Sequence, residues 1–226
     1  MQQDLFNRQS QTSESQISES HAGESPAAEP LATGMQLPES LRTYLDYWPE
    51  FLSPRHLSQL LPYLLDEIDW SRPELFVFGK WHPIPRQQAW FGDEGTTYEY
   101  SGKTMLAKGW TKPLYWLKQR IEAQTGFEFN STLLNLYLDG EDKMGWHADD
   151  EPELGIDPAV AIVSLGEERD IQFRQGKKGP TTSLNLQSGS LLVMSPGMQR
   201  QFQHQIPSRK NVQGERFSLT FRYLIT

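Results

Sequence analysis

The sequence predicts an α+β protein: an antiparallel sandwich or jelly roll with helices packed on one side. Three observations lead there. Two amphipathic helical segments lie in the first 126 residues; seven short β-type runs follow, punctuated by Gly and Pro; no internal repeat is present. At 226 residues the chain is long enough for one domain with a substantial core.

Taken in order, residues 1–36 are rich in Gln, Ser, Glu, Ala and Pro and poor in large apolar residues, so a disordered acidic tail is expected. Its Asp4, Glu14, Glu19, Glu24 and Glu29 against Arg8 leave −4 of the formal net charge of −8. Residues 37–226 are expected to form a single domain. Ser53 then reads as a helix N-cap with Pro54 in the first turn, followed by an apolar face of Leu57, Leu60, Leu61, Leu64, Leu65 and Ile68. Pro62 should bend or divide this helix, and His56, off the apolar stripe, should be solvated.

Leu75 to Gly79 reads as a strand entering a tight turn, and Trp81 to Arg86 as an extended, proline-marked connection. In the strand over Thr97 to Ser101, Tyr98 and Tyr100 share a face. A second helix runs from Pro113 to about Thr125, with Leu114, Leu117 and Ile121 inward and Gly126 as its stop. Seven β runs complete the chain: 132–138, 159–165, 170–174, 182–186, 189–195, 201–206 and 215–225.

Composition narrows the chemistry. With no Cys, disulfides, thiolate metal sites and cysteine nucleophiles are excluded, leaving His and carboxylates as metal ligands. The acidic balance argues against indiscriminate nucleic-acid binding, though not against local basic patches. Seven Trp, eight Tyr and eleven Phe imply an aromatic core or rings available to stack on a flat ligand. No apolar run approaches the ~20 residues of a membrane span, and the N-terminus lacks the blocks of a signal peptide. A soluble, intracellular protein is therefore expected.

His147 and Asp149, two apart on extended backbone, point to one face. Alone, such a pair is a weak signal. His204, between Phe202 and Ile206 on an apolar strand face, can complete a two-His-one-carboxylate set, which suits non-haem Fe(II), or zinc with water. The last strand alternates Arg216, Ser218, Thr220 and Arg222 on one face with Phe217, Leu219 and Phe221 on the other. Four polar residues on a face suit either solvent or a barrel lumen, where guanidinium forks can hold a dicarboxylate.

These motifs resemble the AlkB family of Fe(II)- and 2-oxoglutarate-dependent nucleic-acid dioxygenases. The likeness covers most of the chain from Phe76 to Leu224: Asn135-x-Tyr137, His147-x-Asp149, His204 and the Arg216 to Arg222 strand occur in the family's order. Further segments look like those of its duplex-DNA-preferring human homologue: Val77-Phe78-Gly79-Lys80-Trp81-His82, Pro85-Arg86-x-Gln88-Ala89 and Asp149-Asp150-Glu151. Ser218 departs from the family's usual Asn.

The resemblance implies a double-stranded β-helix core and a nucleotide-recognition segment over about 75–110. It implies Fe(II) on His147, Asp149 and His204, with 2-oxoglutarate and O₂ as cosubstrates. Arg216 and Tyr137 would anchor the far carboxylate, Arg222 and Asn135 would steady the near end, and Ser218 and Thr220 would line the pocket. The implied reaction is DNA repair: hydroxylation of an N-methyl group on 1-methyladenine or 3-methylcytosine, with release of formaldehyde, succinate and CO₂. Tyr98, Tyr100, Ser101, Asp150 and Glu151 become candidates for holding a flipped base. Phe78, flanked by Val77 and Gly79, becomes the wedge that fills the gap. Arg86, Lys177, Lys178, Arg209 and Lys210 become candidate phosphate contacts. The expected partner is alkylated DNA, duplex or single-stranded, bound by a monomer. The alternatives are an RNA or single-stranded DNA demethylase and a non-catalytic module that binds alkylated nucleic acid.

Overall fold

The computed structural model describes residues 37–77, 79–100 and 103–225. A short helix α1 (Glu39–Arg42) and strand β1 (Leu45–Trp48) precede helix α2 (Pro54–Asp66). Strands β2 (Glu74–Val77) and β3 (Lys80–Pro83) pair as a hairpin, β4 (Gln87–Gly92) follows, and β5 (Thr97–Tyr100) and β6 (Lys103–Leu106) form a second hairpin. After β7 (Lys108–Gly109) and helix α3 (Lys112–Thr125) come β8 (Ser131–Tyr137), β9 (Met144–His147), β10 (Val160–Gly166), β11 (Arg169–Gln175), β12 (Thr181–Leu186) and β13 (Ser190–Met194). Helix α4 (Met198–Gln201), β14 (Phe202–Ile206) and β15 (Arg216–Arg222) complete the order.

The strands assemble into a seven-stranded sheet, β1-β13-β10-β15-β8-β4-β7, facing a four-stranded sheet, β12-β11-β14-β9. Side-chain alternation builds three layers from these two sheets. One face of the large sheet, carrying Phe91, Leu134, Leu136, Val163, Leu191, Phe217, Leu219 and Phe221, packs with Leu60, Leu64, Leu114, Leu117 and Ile121 of the helices. Its other face meets the small sheet through Ile162, Leu192 and Met194 against Ile171, Phe173, Leu184, Phe202 and Ile206. The expected jelly roll with helices on one side is thus the observed fold. Complete burial of Leu114, Leu117 and Ile121 contributes about 2 kcal/mol each, which secures α3 against the sheet.

Helix α3 stops where Gly126 takes φ +74°, a conformation that costs glycine little. Helix α2 differs from expectation in three respects. Pro62 neither divides it nor lies against the core; its exposed position leaves the freed carbonyl one turn back in reach of water. His56 is buried rather than solvated, because it closes a capping box with Ser53 and packs its ring 4.9 Å from that of Trp116. Leu65 is exposed, since Leu60, Leu64 and Ile68 already fill the contact with the sheet. Strands β2 and β5 fall on runs expected to be strands, whereas β1, β9 and the second strands of the two hairpins, β3 and β6, were not anticipated as strands. Each is short, four residues, and carries too little alternation to identify it.

Candidate active site

The site forms between the two sheets, and strand register determines which residues meet there. On β15, Arg216, Ser218 and Thr220 pair with Tyr137, Asn135 and Leu133 of β8 on one side. On the other side Ser218 and Thr220 pair with Ser164 and Ile162 of β10. The polar face of β15 therefore points into the lumen, and all seven of its residues are buried. From the small sheet, His204 of β14 pairs directly with His147 of β9, their ring centroids 4.1 Å apart, and Asp149 follows just beyond the strand end. The resulting cleft is about 380 Å³ counting its open mouth, and both histidines, Asp149, Asn135, Tyr137 and the polar residues of β15 line it.

His147, Asp149 and His204 each offer a ligand atom, all within 4.8 Å of one another. Nδ1–H of His147 donates to the Gly145 carbonyl at 2.8 Å, which orients the ring and leaves Nε2 as the nitrogen available to a metal. Burial, reinforced by the neighbouring His147, pushes His204 down to about 3, against the opposing pull of Asp149. His204 is neutral near pH 7, so its contact with Asp149 at 3.6 Å is not an ion pair. Burial pushes the Asp149 carboxyl up, yet Arg222, His204 and His147 together outweigh it and hold the group below the usual carboxylate range. Two imidazoles, one of them the neutral His204, and a carboxylate form a suitable donor set for a divalent ion such as Fe(II).

Arg216 is wholly buried. Nη2 donates to Ser164 Oγ at 2.9 Å, while Nε and Nη1 have no hydrogen-bond partner among the described residues. Burial pulls its pKa down to about 10, partly offset by the adjacent Tyr137 phenol, so it remains charged at neutral pH. A buried cation with two spare donors in a pocket calls for an anion. Arg86, Arg216 and Arg222, all buried, stand against one carboxylate, Asp149, in this cluster, an excess of positive charge that suits a dianion such as 2-oxoglutarate.

Arg86 departs from the expectation of a phosphate contact. It is 5% exposed, donating from Nε to Asn135 Oδ1 at 2.8 Å, because its position two residues before Gln88 turns it to the same inner face of the sheet. Arg209 pairs with Asp170 at 2.8 Å, whereas Lys177, Lys178 and Lys210 are exposed. Asp150 is exposed and Glu151 half-buried, immediately beyond Asp149. Phe78, Ser101 and residues 1–36, along with the side chains of Val77, Tyr98 and Tyr100, lie outside the described residues; Gly79 is exposed with φ +78°.

Two buried glutamines escaped the sequence reading. Gln199 of α4 accepts from the Asp149 amide at 3.1 Å, and Gln88 donates to Asn135 Oδ1 at 2.9 Å. Gln88 carried a signal in its inward spacing from Arg86; Gln199, fifty residues from Asp149, carried none.

A jelly roll with a His-Asp-His cluster beside buried arginines defines a class: residues 45–222 match the 2OG-Fe(II) oxygenase superfamily, and the chain belongs to it. Its relatives are AlkB-type proteins. The chain is 43% identical over 157 residues to DNA oxidative demethylase ALKBH2 of Mus musculus, covering 66% of each chain. It is 34% identical over 187 residues to alpha-ketoglutarate-dependent dioxygenase alkB homolog 3 of Rattus norvegicus, covering 77% of this chain and 62% of that one. To DNA oxidative demethylase ALKBH2 of Arabidopsis thaliana the identity is 35% over 208 residues, covering 80% of this chain and 66% of that one. The chain thus spans just under two thirds of the length of these curated relatives. The solved structure of OsALKBH1, 17% identical, aligns with a TM-score of 0.56 over 79% of this chain and 97% of that one, showing a shared fold.

Proposed function

We propose that the protein is a DNA-repair dioxygenase that removes N-methyl groups from alkylated bases, 1-methyladenine and 3-methylcytosine, releasing formaldehyde, succinate and CO₂. The observation that carries this reading is the juxtaposition of His147, Asp149 and His204 with the partly unsatisfied, buried Arg216 guanidinium in one cleft. Relatives named DNA oxidative demethylases support the choice of substrate.

In this reading His147, Asp149 and His204 hold Fe(II), which together with 2-oxoglutarate and O₂ supplies the oxidant for the methyl carbon. Arg216, with Tyr137 and Ser218 beside it, binds the far carboxylate of the cosubstrate. Arg222 and Asn135 border its near end, and Thr220 completes the wall. The described residues contain no helix long and apolar enough to cross a membrane.

A methylated base inside a duplex must be flipped out to enter the cleft, at a cost of a few kcal/mol that is smallest for damaged pairs. Residues 75–110, including both hairpins, serve as the nucleotide-recognition segment of a single domain spanning 37–226. In this reading Tyr98, Tyr100 and Ser101 contact the base, Asp150 and Glu151 add negative potential for a cationic lesion, and Phe78, which follows β2 in the sequence, is the wedge. Arg209, Lys210 and the exposed Lys177 and Lys178 contact phosphates. In this reading the protein acts as a soluble intracellular monomer on alkylated DNA, duplex or single-stranded.

Incubating the protein with methylated oligonucleotides, Fe(II) and 2-oxoglutarate in air tests this. Formaldehyde and succinate are expected from the wild type and neither from His147→Ala. Undiminished turnover in that variant overturns the metal assignment, and inactivity of the wild type on all methylated DNA overturns the function. Phe78→Ala should narrow the gap between duplex and single-stranded rates.

A further inference from the structure

Arg86 and Gln88 converge on one atom. Arg86 Nε lies 2.8 Å and Gln88 Nε2 2.9 Å from Asn135 Oδ1, with all three side chains buried. Gln88 is the cross-strand partner of Asn135, whose other neighbour is Ser218, so a polar row crosses β4, β8 and β15 toward Arg216. A guanidinium can only donate, so the atom that faces it must be the carboxamide oxygen. That oxygen has two lone pairs, and both are taken. Asn135 therefore has only its NH₂ left to offer the cleft it lines.

We propose that Arg86 and Gln88 are positioning residues that lock the Asn135 carboxamide with its NH₂ turned toward the cosubstrate, so that Asn135 acts only as a donor to an acceptor oxygen. The inference rests on reading the cleft as a 2-oxoglutarate site. An unrestrained amide could present its oxygen to the incoming anion, which is repulsive; the two donors remove that orientation before the ligand arrives. The buried charge of Arg86 adds attraction from behind the same amide. This accounts for a cation with which no carboxylate pairs among the described residues: its bonds there go to Asn135 and, at 3.5 Å, to the Lys143 carbonyl.

The test is calorimetric titration of 2-oxoglutarate into the full chain loaded with Mn(II), a redox-silent probe, alongside Mn(II) affinity and melting temperature. Gln88→Leu and Arg86→Met should each weaken 2-oxoglutarate by about five- to tenfold, the equivalent of one buried hydrogen bond, with Mn(II) affinity unchanged. Asn135→Asp keeps the acceptor but cannot donate; it should weaken binding at least as much, and Gln88→Leu added to it should change nothing further. Gln88→Glu, which keeps the shape but offers an acceptor, covers the case of a misfolded leucine variant and should weaken binding most. Wild-type 2-oxoglutarate affinity in the Gln88 and Arg86 variants overturns the lock, as does an equal loss of Mn(II) affinity or additivity with Asn135→Asp. Absence of 2-oxoglutarate binding by the Mn(II)-loaded wild type overturns the cosubstrate reading itself, and the lock with it.

Discussion

Arg222 Nη2 lies 2.6 Å from Asp149 Oδ1, with both side chains almost fully buried, so the carboxylate of the candidate metal triad already has a fixed counter-charge. The pair is the largest of the attractions that keep this carboxyl ionised against its burial.

Removing one partner of such a pair leaves the other charge uncompensated. Arg222→Met should lower stability by about 3 kcal/mol in urea unfolding. The Asp149 pKa should also rise, so that protons compete with Mn(II) at a pH where the wild type binds fully. A Mn(II) titration at pH 5.5 and 8 reads this; equal pH dependence in the two proteins would show that Arg222 does not tune the ligand.

The metal-free protein should lose stability in acid through His204. Its pKa is near 3 in the fold against 6.5 ordinarily. Between these values the unfolded chain binds a proton that the folded chain does not, so stability rises with pH through this window and levels off above 6.5. Asp149, also depressed, acts with the same sign at lower pH. Melting curves in chelator from pH 4 to 8 should show this slope, and it should flatten in His204→Phe.

Arg216→Lys should raise the KM for 2-oxoglutarate by about ten- to a hundredfold while sparing Mn(II) binding. An ammonium keeps the charge but loses the planar two-pronged donor set, an interaction of about 1.5–3 kcal/mol. A KM within twofold of wild type would place the far carboxylate elsewhere.

Gly140 sits in the turn between β8 and β9 where a Cβ would collide with the Arg209 carbonyl oxygen. The two backbones are tied there by Arg209 N–H donating to the Gly140 carbonyl at 2.7 Å and Gly140 N–H donating to that of Val212 at 2.9 Å. Gly140→Ala must push these segments apart and should cost about 2 kcal/mol or more, read as a lower urea midpoint with an unchanged slope. Unaltered stability would mean that this approach is not held.

The outcome for β15 shows what local pattern can and cannot carry. Its alternation is visible in the chain, but four polar residues on one face read equally well as solvent or lumen. Burial by β8 and β10 on its flanks, with the helices covering Phe217, Leu219 and Phe221, settled the question. Arg86 had the opposite fate: it looked like a surface cation, yet the direction of β4 turned it inward onto Asn135. His56 was misjudged for a similar reason, since its apolar partner Trp116 belongs to another helix.

The helices, most of the long strands and the chemical identity of the His-Asp-His set were legible in the chain itself, because apolar periodicity, capping residues and donor types are local properties. Which buried polar groups meet was decided only by folding. The contacts of Gln88 with Asn135, Gln199 with Asp149 and Arg222 with Asp149 join residues roughly 50 to 70 positions apart. The Gln88 and Arg222 contacts depend on strand register, and a shift of one residue would turn these two side chains to the opposite face, whereas the Gln199 contact depends on where helix α4 meets the segment after β9.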